Sequence, residues 1–282
     1  MNVINKLFIM QRWDIGYCFE TVDSIEKLKT TRFAIIKSSN KEWYADPFCI
    51  NYNKHFYIFC EVFHQKSGKG NIGVFEYANG KFSKCNIIID EPFHMSYPNV
   101  FMHNDRWYMI PETSAQREVR LYEAEDFPYK WKFSCTLLKG VSYVDSTLLS
   151  YEKKMYLICY ETKETPCLKM FYIDFDAQKL VVVGSMIDQF KTLRPAGNLL
   201  NGYYISQYNV NYYGEGISFK KIPFSNDDNS TNSIVFANEL LVDNKYCGIH
   251  TLNSSKGISV IDLLRRHFSL FKPFLVFFRR KK

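Results

Sequence analysis

A small set of polar residues recurs at one phase of a repeated pattern, and these are the residues best suited to chemistry. Asp46, Tyr97, Asp145, Arg194 and His250 each open a run of β-forming residues. Glu61, Glu112, Glu161 (or Tyr160) and Gln207 close the run that follows. Carboxylates gathered in one concavity suit glycoside chemistry, which needs one ionised and one protonated carboxyl group. A plainer reading exists for each residue alone, because an Asp before Pro or Ser often only caps backbone amides. For Asp46, Glu61, Glu112, Asp145 and Arg194 as a set, a site is the better reading. Crowded carboxylates raise one another's pKa and cost stability unless a ligand or a base offsets them. Arg194 is either that offset or a clamp for a phosphate or carboxylate. No metal constellation stands out, since His64, His94, His103 and His250 lack ligand-like spacing. There is no Gly-rich phosphate loop, and no cofactor is implied.

The elements that must position these residues form a repeat of about 50 residues. Ala45–Ile50 and His55–Glu61 flank a polar turn. So do Ser96–Phe101 and Arg106–Glu112, Val144–Leu149 and Lys154–Glu161, Leu193–Leu200 and Tyr203–Gln207, and, more weakly, Gly248–Asn253 and Gly257–Ile261. Two further strand-like runs follow in each of the first four units, and four strands per unit is a propeller blade. The fifth unit lacks its second pair. Asp14–Glu20, similar to Asn71–Glu76, and Arg32–Lys37 are placed to supply it, with Ser24–Thr30 as a helical excursion. The fold class is therefore all-β: a five-bladed β-propeller whose N- and C-terminal strands share one blade and leave no open edge at the seam. In such a ring the openers and closers converge on a central funnel.

Composition narrows the function classes. The chain has 282 residues, 46% hydrophobic and 17% aromatic, which excludes wholesale disorder and favours sheets. Its net charge of +7 sits entirely in residues 263–282, which hold seven Lys/Arg and no carboxylate. The remaining 29 basic residues (36 − 7) balance 29 acidic ones. A neutral body is no nucleic-acid binder. The eight cysteines form no C-x-x-C pair and mostly lie in apolar runs, as reduced core thiols of a cytosolic protein do. No apolar run is long enough for a signal-peptide core or a membrane span.

Several stretches carry a family likeness. They are Trp43–Phe48, Lys69–Val74, Asp90–Pro98, Met109–Thr113, Val119–Tyr122, Val144–Ser146, Arg194–Gly197 and Gly248–His250. Through them the chain resembles the N-terminal domain of plant glucosamine inositolphosphorylceramide transferases and the bacterial proteins that share it. Glu91–Pro98 and Arg194–Gly197 are the most specific. The resemblance implies a five-bladed propeller similar to that of glycoside hydrolase family 43, in a setting of glycan or surface-polysaccharide assembly. It implies a base at Asp46 and an acid on a later blade, here assigned to Glu112, with Asp145 as an orienting group. Glu61, His94, Tyr97, Arg120, Arg194, Gln207, Tyr213 and His250 complete the expected substrate-binding set. Around Gln207 the chain departs from the family, with Ile205 in place of an Arg and Tyr208 in place of an acidic residue.

The last 20 residues read as a separate tail after a body ending at residue 262. Arg265, Arg266, Lys272, Arg279 and Arg280 flank Phe268, Phe271, Phe274, Phe277 and Phe278. Phe between basic clusters describes an anchor on an anionic leaflet or a contact with a partner protein. The expectation is thus a cytoplasmic protein peripheral to the inner face of the cell membrane. Its substrates would be a sugar or sugar nucleotide and a lipid-linked glycan. Three activities fit: glycosyl transfer first, then non-catalytic glycan binding for a partner glycosyltransferase, then glycoside hydrolysis.

Overall fold

The structure is a computed structural model that describes residues 8–162, 166–186, 194–221 and 233–269. Its strands form five antiparallel sheets, the blades of the propeller. Blade I holds Glu42–Tyr52, His55–His64 and Lys69–Ala78, with Lys81–Phe82 and Asn86–Ile89 at its outer edge. Blade II runs Ser96–His103, Arg106–Glu112, Glu118–Asp126 and Lys130–Lys139. Blade III runs Tyr143–Tyr151, Lys154–Glu161, Cys167–Asp174 and Lys179–Met186. Blade IV holds Tyr203–Tyr208, Gly216–Lys221 and Ser233–Phe236.

Blade V is built from both ends of the chain. Tyr246–Gly248 and Leu252–Ser255 pair with Ile258–Phe268, which pairs with Ile9–Cys18, and Ala34–Ile36 lies outermost. A short helix, Ile25–Thr30, crosses between the two N-terminal strands. The Ser24 hydroxyl caps it by accepting from the Lys27 N–H.

One local device sets the register of the inner hairpins. Asn53-Lys54, Asn104-Asp105, Glu152-Lys153 and Asn201-Gly202 all have positive φ at both residues. Two-residue loops of this kind match the right-handed twist of the strands they join. In blades I and II they bring the strand-closing acids opposite the residue before each opener, Glu61 facing Ala45 and Glu112 facing Ser96; in blade III that place falls to Tyr160, opposite Val144, and Glu161 lies one residue beyond, opposite Tyr143. The apolar core lies between neighbouring blades. Phe48, Phe59, Met95, Tyr97 and Met109 fill the gap between blades I and II. Val22, Leu28, Ile217, Val235, Ile261 and Leu263 fill the gap between IV and V.

Two expectations change. Of the expected strand Leu193–Leu200, Leu193 lies outside the described residues and the rest is not a continuous strand: Pro195 and Leu200 make only isolated bridges to Ser206 and Tyr203. The cause is that this segment divides its backbone hydrogen bonds between two blades. Ala196 N–H donates to Ile205 of blade IV, while the Ala196 carbonyl accepts from Leu252 of blade V. A Cβ on Gly197 would stand 2.0 Å from the Leu252 carbonyl oxygen, so only glycine permits the approach. The boundary drawn at residue 262 also moves. The last strand continues to Phe268, where Leu263 and Leu264 are buried and Phe268 stacks on Phe8. Arg265 is bound to the Asp14 carboxylate at 2.8 Å, and Arg266 lies over the Tyr212 ring. Phe271, Lys272, Phe274, Phe277, Phe278, Arg279 and Arg280 lie outside the described residues. Among the described residues no helix is long and apolar enough to cross a membrane.

The seam yields a graded prediction. Six of the ten register pairs between the first and last strands involve residues 263–268. A chain ending at residue 269 should melt cooperatively like the full protein. Chains ending at residue 262, or lacking residues 1–40, should expose a sheet edge and aggregate or lose the transition. Thermal unfolding followed by circular dichroism separates the cases, and a cooperative melt of the 1–262 chain would contradict the closure described.

Candidate active site

The three strand openers of blades I to III share a backbone irregularity. The ladder skips Asp46-Pro47, Tyr97-Pro98 and Asp145-Ser146, and the first residue of each pair has φ near +50° (49°, 48° and 48°). A non-glycine residue held in this left-handed region costs about 1–3 kcal/mol, and such strain persists only where the surroundings impose it. Bulges of this kind re-aim a side chain out of the sheet's alternation. In blades I and III the re-aimed side chain is a carboxylate.

The openers and closers surround a cavity of about 200 Å³. Asp46, Glu61, His94, Glu112, Arg194, Tyr213 and His250 line it, together with Trp13, Trp43, Phe63 and Ser96. Asp145 is buried one layer behind, where it accepts from Arg194 Nε and, at 2.9 Å, from Gln207 Nε2. Arg194 reaches toward Glu112 as well, at 3.9 Å. Glu112 accepts from the Ser114 hydroxyl at 2.7 Å. On the other side of the cavity His94 Nδ1 accepts from the Gly70 N–H at 2.9 Å, which leaves Nε2 to carry the proton toward Glu61, 3.5 Å away. Gly70 has no room for a side chain, since a Cβ would stand 2.5 Å from the Glu61 carboxylate. His250 lies between two carboxylates, 3.0 Å from Asp46 through Nε2 and 2.8 Å from Asp262 through Nδ1.

Three expected binders lie elsewhere. Gln207 is buried behind the cavity, where its amide donates to Asp145 and to the Pro195 carbonyl. Tyr97 is fully buried beneath the site; its hydroxyl meets the Thr147 hydroxyl and accepts from the Gly197 N–H, tying three blades together. A ring in an apolar layer takes the packing role even where the repeat puts it in phase with an acid. Arg120 is held by Glu118 at 2.7 Å between the Phe93 and Phe133 rings, away from the cavity.

The matched family model is that of glucosamine inositolphosphorylceramide transferase 1, N-terminal, over residues 29–177, just over half of the chain. The chain belongs to this family. The transferase of that name from Arabidopsis thaliana is 34% identical over 116 residues, 40% of this chain and 15% of the relative. The one from Oryza sativa subsp. indica is 33% identical over 110 residues, 38% of this chain and 15% of the relative. The similarity thus spans about a seventh of these relatives. Among solved structures, the catalytic domain of the Coprinopsis cinerea GH62 α-L-arabinofuranosidase aligns with a TM-score of 0.57 at 11% identity, covering 82% of this chain and 93% of that one. The Cellvibrio cellulosa α-L-arabinanase complexed with arabinohexaose aligns at 0.54 with 9% identity, covering 80% and 90%. At these identities the likeness is one of fold.

The electrostatics of this family member follow from burial and pairing. Burial pushes Glu112 up to about 8, Asp145 adds to the shift, and Arg194 opposes it. Burial, then the Asp46 and Glu112 charges, pushes Glu61 well above the usual carboxylate range. Asp46 is raised by burial, against the pull of His250. Burial works against charging His250, but Asp262 and Asp46 outweigh it and raise the imidazole to about 10. The donor atoms of Asp46, His250 and Asp262 lie within 4.8 Å of one another. The scattered histidines gave no sign of such a grouping in the sequence. Each ring nitrogen faces a carboxylate oxygen at ion-pair distance, while His250 Nδ1 and Asp46 Oδ1 fall short of hydrogen-bond geometry, so the trio is held together by charge. Trp13 and Asp262 were missed by sequence reasoning. Asp262 is a lone carboxylate in the apolar run Ile258–Leu264, and that isolation was the available signal. Trp13, whose ring packs 4.1 Å from that of His250, precedes the recognised part of the first strand and gave none.

The site should weaken the fold as pH rises. An unfolded Glu releases its proton near pH 4.3, whereas Glu112 holds it to about 8, so stability falls with pH across that window. The contribution of His250 is complete below its unfolded value of about 6.5 and is lost as pH rises through about 10. Melting temperatures should therefore decline from pH 6 to pH 10. Glu112→Gln should be at least as stable as the wild type at pH 8, and a markedly lower melting point for it there would contradict this account.

Proposed function

We propose that this chain breaks glycosidic bonds at the funnel cavity. Glu112 donates a proton to the departing oxygen, while Asp46 takes one from the water that attacks and bonds to the anomeric carbon. The observation that carries the reading is two carboxyl groups with unlike partners in one aromatic-walled cavity. Glu112 is driven toward its neutral acid form, while Asp46 has a charged imidazole beside it. Trp43, Phe63 and Tyr213 offer ring surface on which a sugar can stack, while the buried Trp13 packs against His250. The cavity is smaller than drug-sized pockets and suits a single sugar ring. The glycosidase names of similarly folded structures agree with cleavage.

A second reading is favoured by the family itself, whose curated relatives are transferases. In it the same two groups serve, and a sugar hydroxyl on a lipid-linked or polysaccharide acceptor replaces water. Such an acceptor places the protein at an anionic membrane surface, held by the basic and Phe-rich residues after 269. Arg265 belongs to the ring rather than to this anchor.

Asp46→Asn and Glu112→Gln should each lower turnover of nitrophenyl glycosides by about 10²–10⁴-fold while the melting transition persists. The Glu112→Gln loss should be larger on alkyl glycosides, whose poor leaving groups need the proton. Wild-type turnover should fall as pH rises through about 8, as the acid ionises. A wild type that binds sugars without turnover, with binding unchanged in Asp46→Asn, would make the propeller a glycan-presenting module instead.

For the membrane, vesicle flotation should recover the full chain with anionic but not neutral liposomes, and less at high salt. A chain ending at residue 269 should stay in the soluble fraction. Equal recovery of both chains with anionic vesicles would remove the anchor.

A further inference from the structure

Asp262 makes contacts that the acid–base reading does not use. Its side chain is fully buried, and it sits in the middle of the long last strand, directly opposite Ile15 of the first. Oδ1 accepts from the main-chain N–H groups of His250 (3.0 Å) and Thr251 (2.9 Å). Oδ2 accepts from the Asp46 N–H at 3.1 Å and faces His250 Nδ1 at 2.8 Å.

The donors share one property: none has a ladder partner. Asp46 lies in the bulge that blade I leaves out of register. His250 and Thr251 lie in the gap between the strands Tyr246–Gly248 and Leu252–Ser255. Buried N–H groups left unpaired each cost about 1–3 kcal/mol. A single carboxylate thus satisfies the broken backbone of two different blades, and it does so from the most regular strand of the seam.

We infer that Asp262 is the positioning residue of the site: it binds the strained backbone of Asp46 and the ring of His250 into one unit and thereby fixes where the Asp46 carboxylate stands. The inference rests on Asp46 being a reacting group, but the geometry it predicts can be tested separately. Asp262 itself does not line the cavity, so its effect passes through Asp46 and His250. Because its strand pairs with the N-terminal strand, the carboxylate reaches its place only when the ring closes. Asp262→Asn keeps the shape and offers one acceptor oxygen, but turns an amide N–H₂ toward donors. That disrupts half of the contacts while leaving the apolar surroundings intact.

The test combines spectroscopy with kinetics. In the wild type, ¹H–¹⁵N spectra should show ring N–H signals that vanish in His250→Gln. The Asp46 and His250 backbone amides should exchange slowly despite lying outside any ladder. In Asp262→Asn the His250 Nδ1–H signal should be lost or strongly shifted. On a nitrophenyl glycoside that the wild type turns over, kcat should fall on the order of 100-fold with KM within about twofold, the mark of a displaced reacting group. Wild-type ring signals and turnover in Asp262→Asn would overturn the inference. Fast exchange of the Asp46 amide in the wild type would do so too, and this measurement stands even if the variant does not fold. If no glycoside is turned over, the acid–base reading fails while the exchange and ring-signal arms still decide the role of Asp262.

Discussion

The antiparallel pairing of the first strand with the last is the interaction on which the rest of the structure depends. It joins Ile9 to Phe268 and Cys18 to Ser259 through an unbroken register. Closing so long a loop adds little free-energy cost per added residue, since loop entropy grows only logarithmically. It does make this sheet the most non-local contact of the chain and hence a slow one to form. The seam also delivers chemistry. Trp13, Ala45 and Leu264 pack together across it, and His250 reaches Asp46 from the far side. The cavity therefore has no complete wall until the ring has closed, which couples the integrity of the fold to the existence of the site.

Around the ring, one structural phase has been put to different uses. The closing acids of blades I and II line the cavity, whereas in blade III the same position is taken by Tyr160, and Glu161, one residue on, is ion-paired to Lys169 at 2.8 Å. The openers Asp46 and Asp145 each have a cationic partner, in His250 and Arg194, while Tyr97 serves as a hydrogen-bonded core residue. The repeat fixes geometry, and the partner on the neighbouring blade fixes the chemistry. Offsetting cations are present for the two Asp residues. Glu61 faces a neutral imidazole, its proton affinity lowered by burial, and is stabilised only partly by the more distant charge on His250. Left-handed openers and upward-shifted acids both cost stability, and the apolar layers between blades offset them.

The architecture was legible because its signals are local. Hairpins of β-forming residues around polar pairs such as Asn53-Lys54 and Asn104-Asp105 recur at blade spacing, and the N-terminal run repeats the pattern of Asn71–Glu76. The convergence of Asp46, Glu61, Glu112, Arg194 and His250 on one cavity followed from the same phase. What stayed hidden depends on contacts between blades. Nothing in the neighbourhood of Arg120 shows that two Phe rings and Glu118 hold it away from the funnel. Nor does the apolar text around Asp262 show that its partners lie on blade I and in the break before Leu252. The tail boundary failed for a related reason. Basic residues in a strand look like a solvated flank until Asp14 is placed beside Arg265.

Cleavage and transfer differ only in what attacks the sugar, and neither Glu112 nor Asp46 makes that choice. A cavity that suits one ring brings the attacking group in from its open side. Among its lining residues Trp43 and Phe63 form a stacked pair, with ring centroids 4.3 Å apart, and Tyr213 is 41% exposed. Half-exposed rings bind a second sugar through its apolar face and displace water as they do so. On the proposed acid–base reading, the balance between water and a hydroxyl acceptor rests with these rings, while the carboxylates serve either outcome.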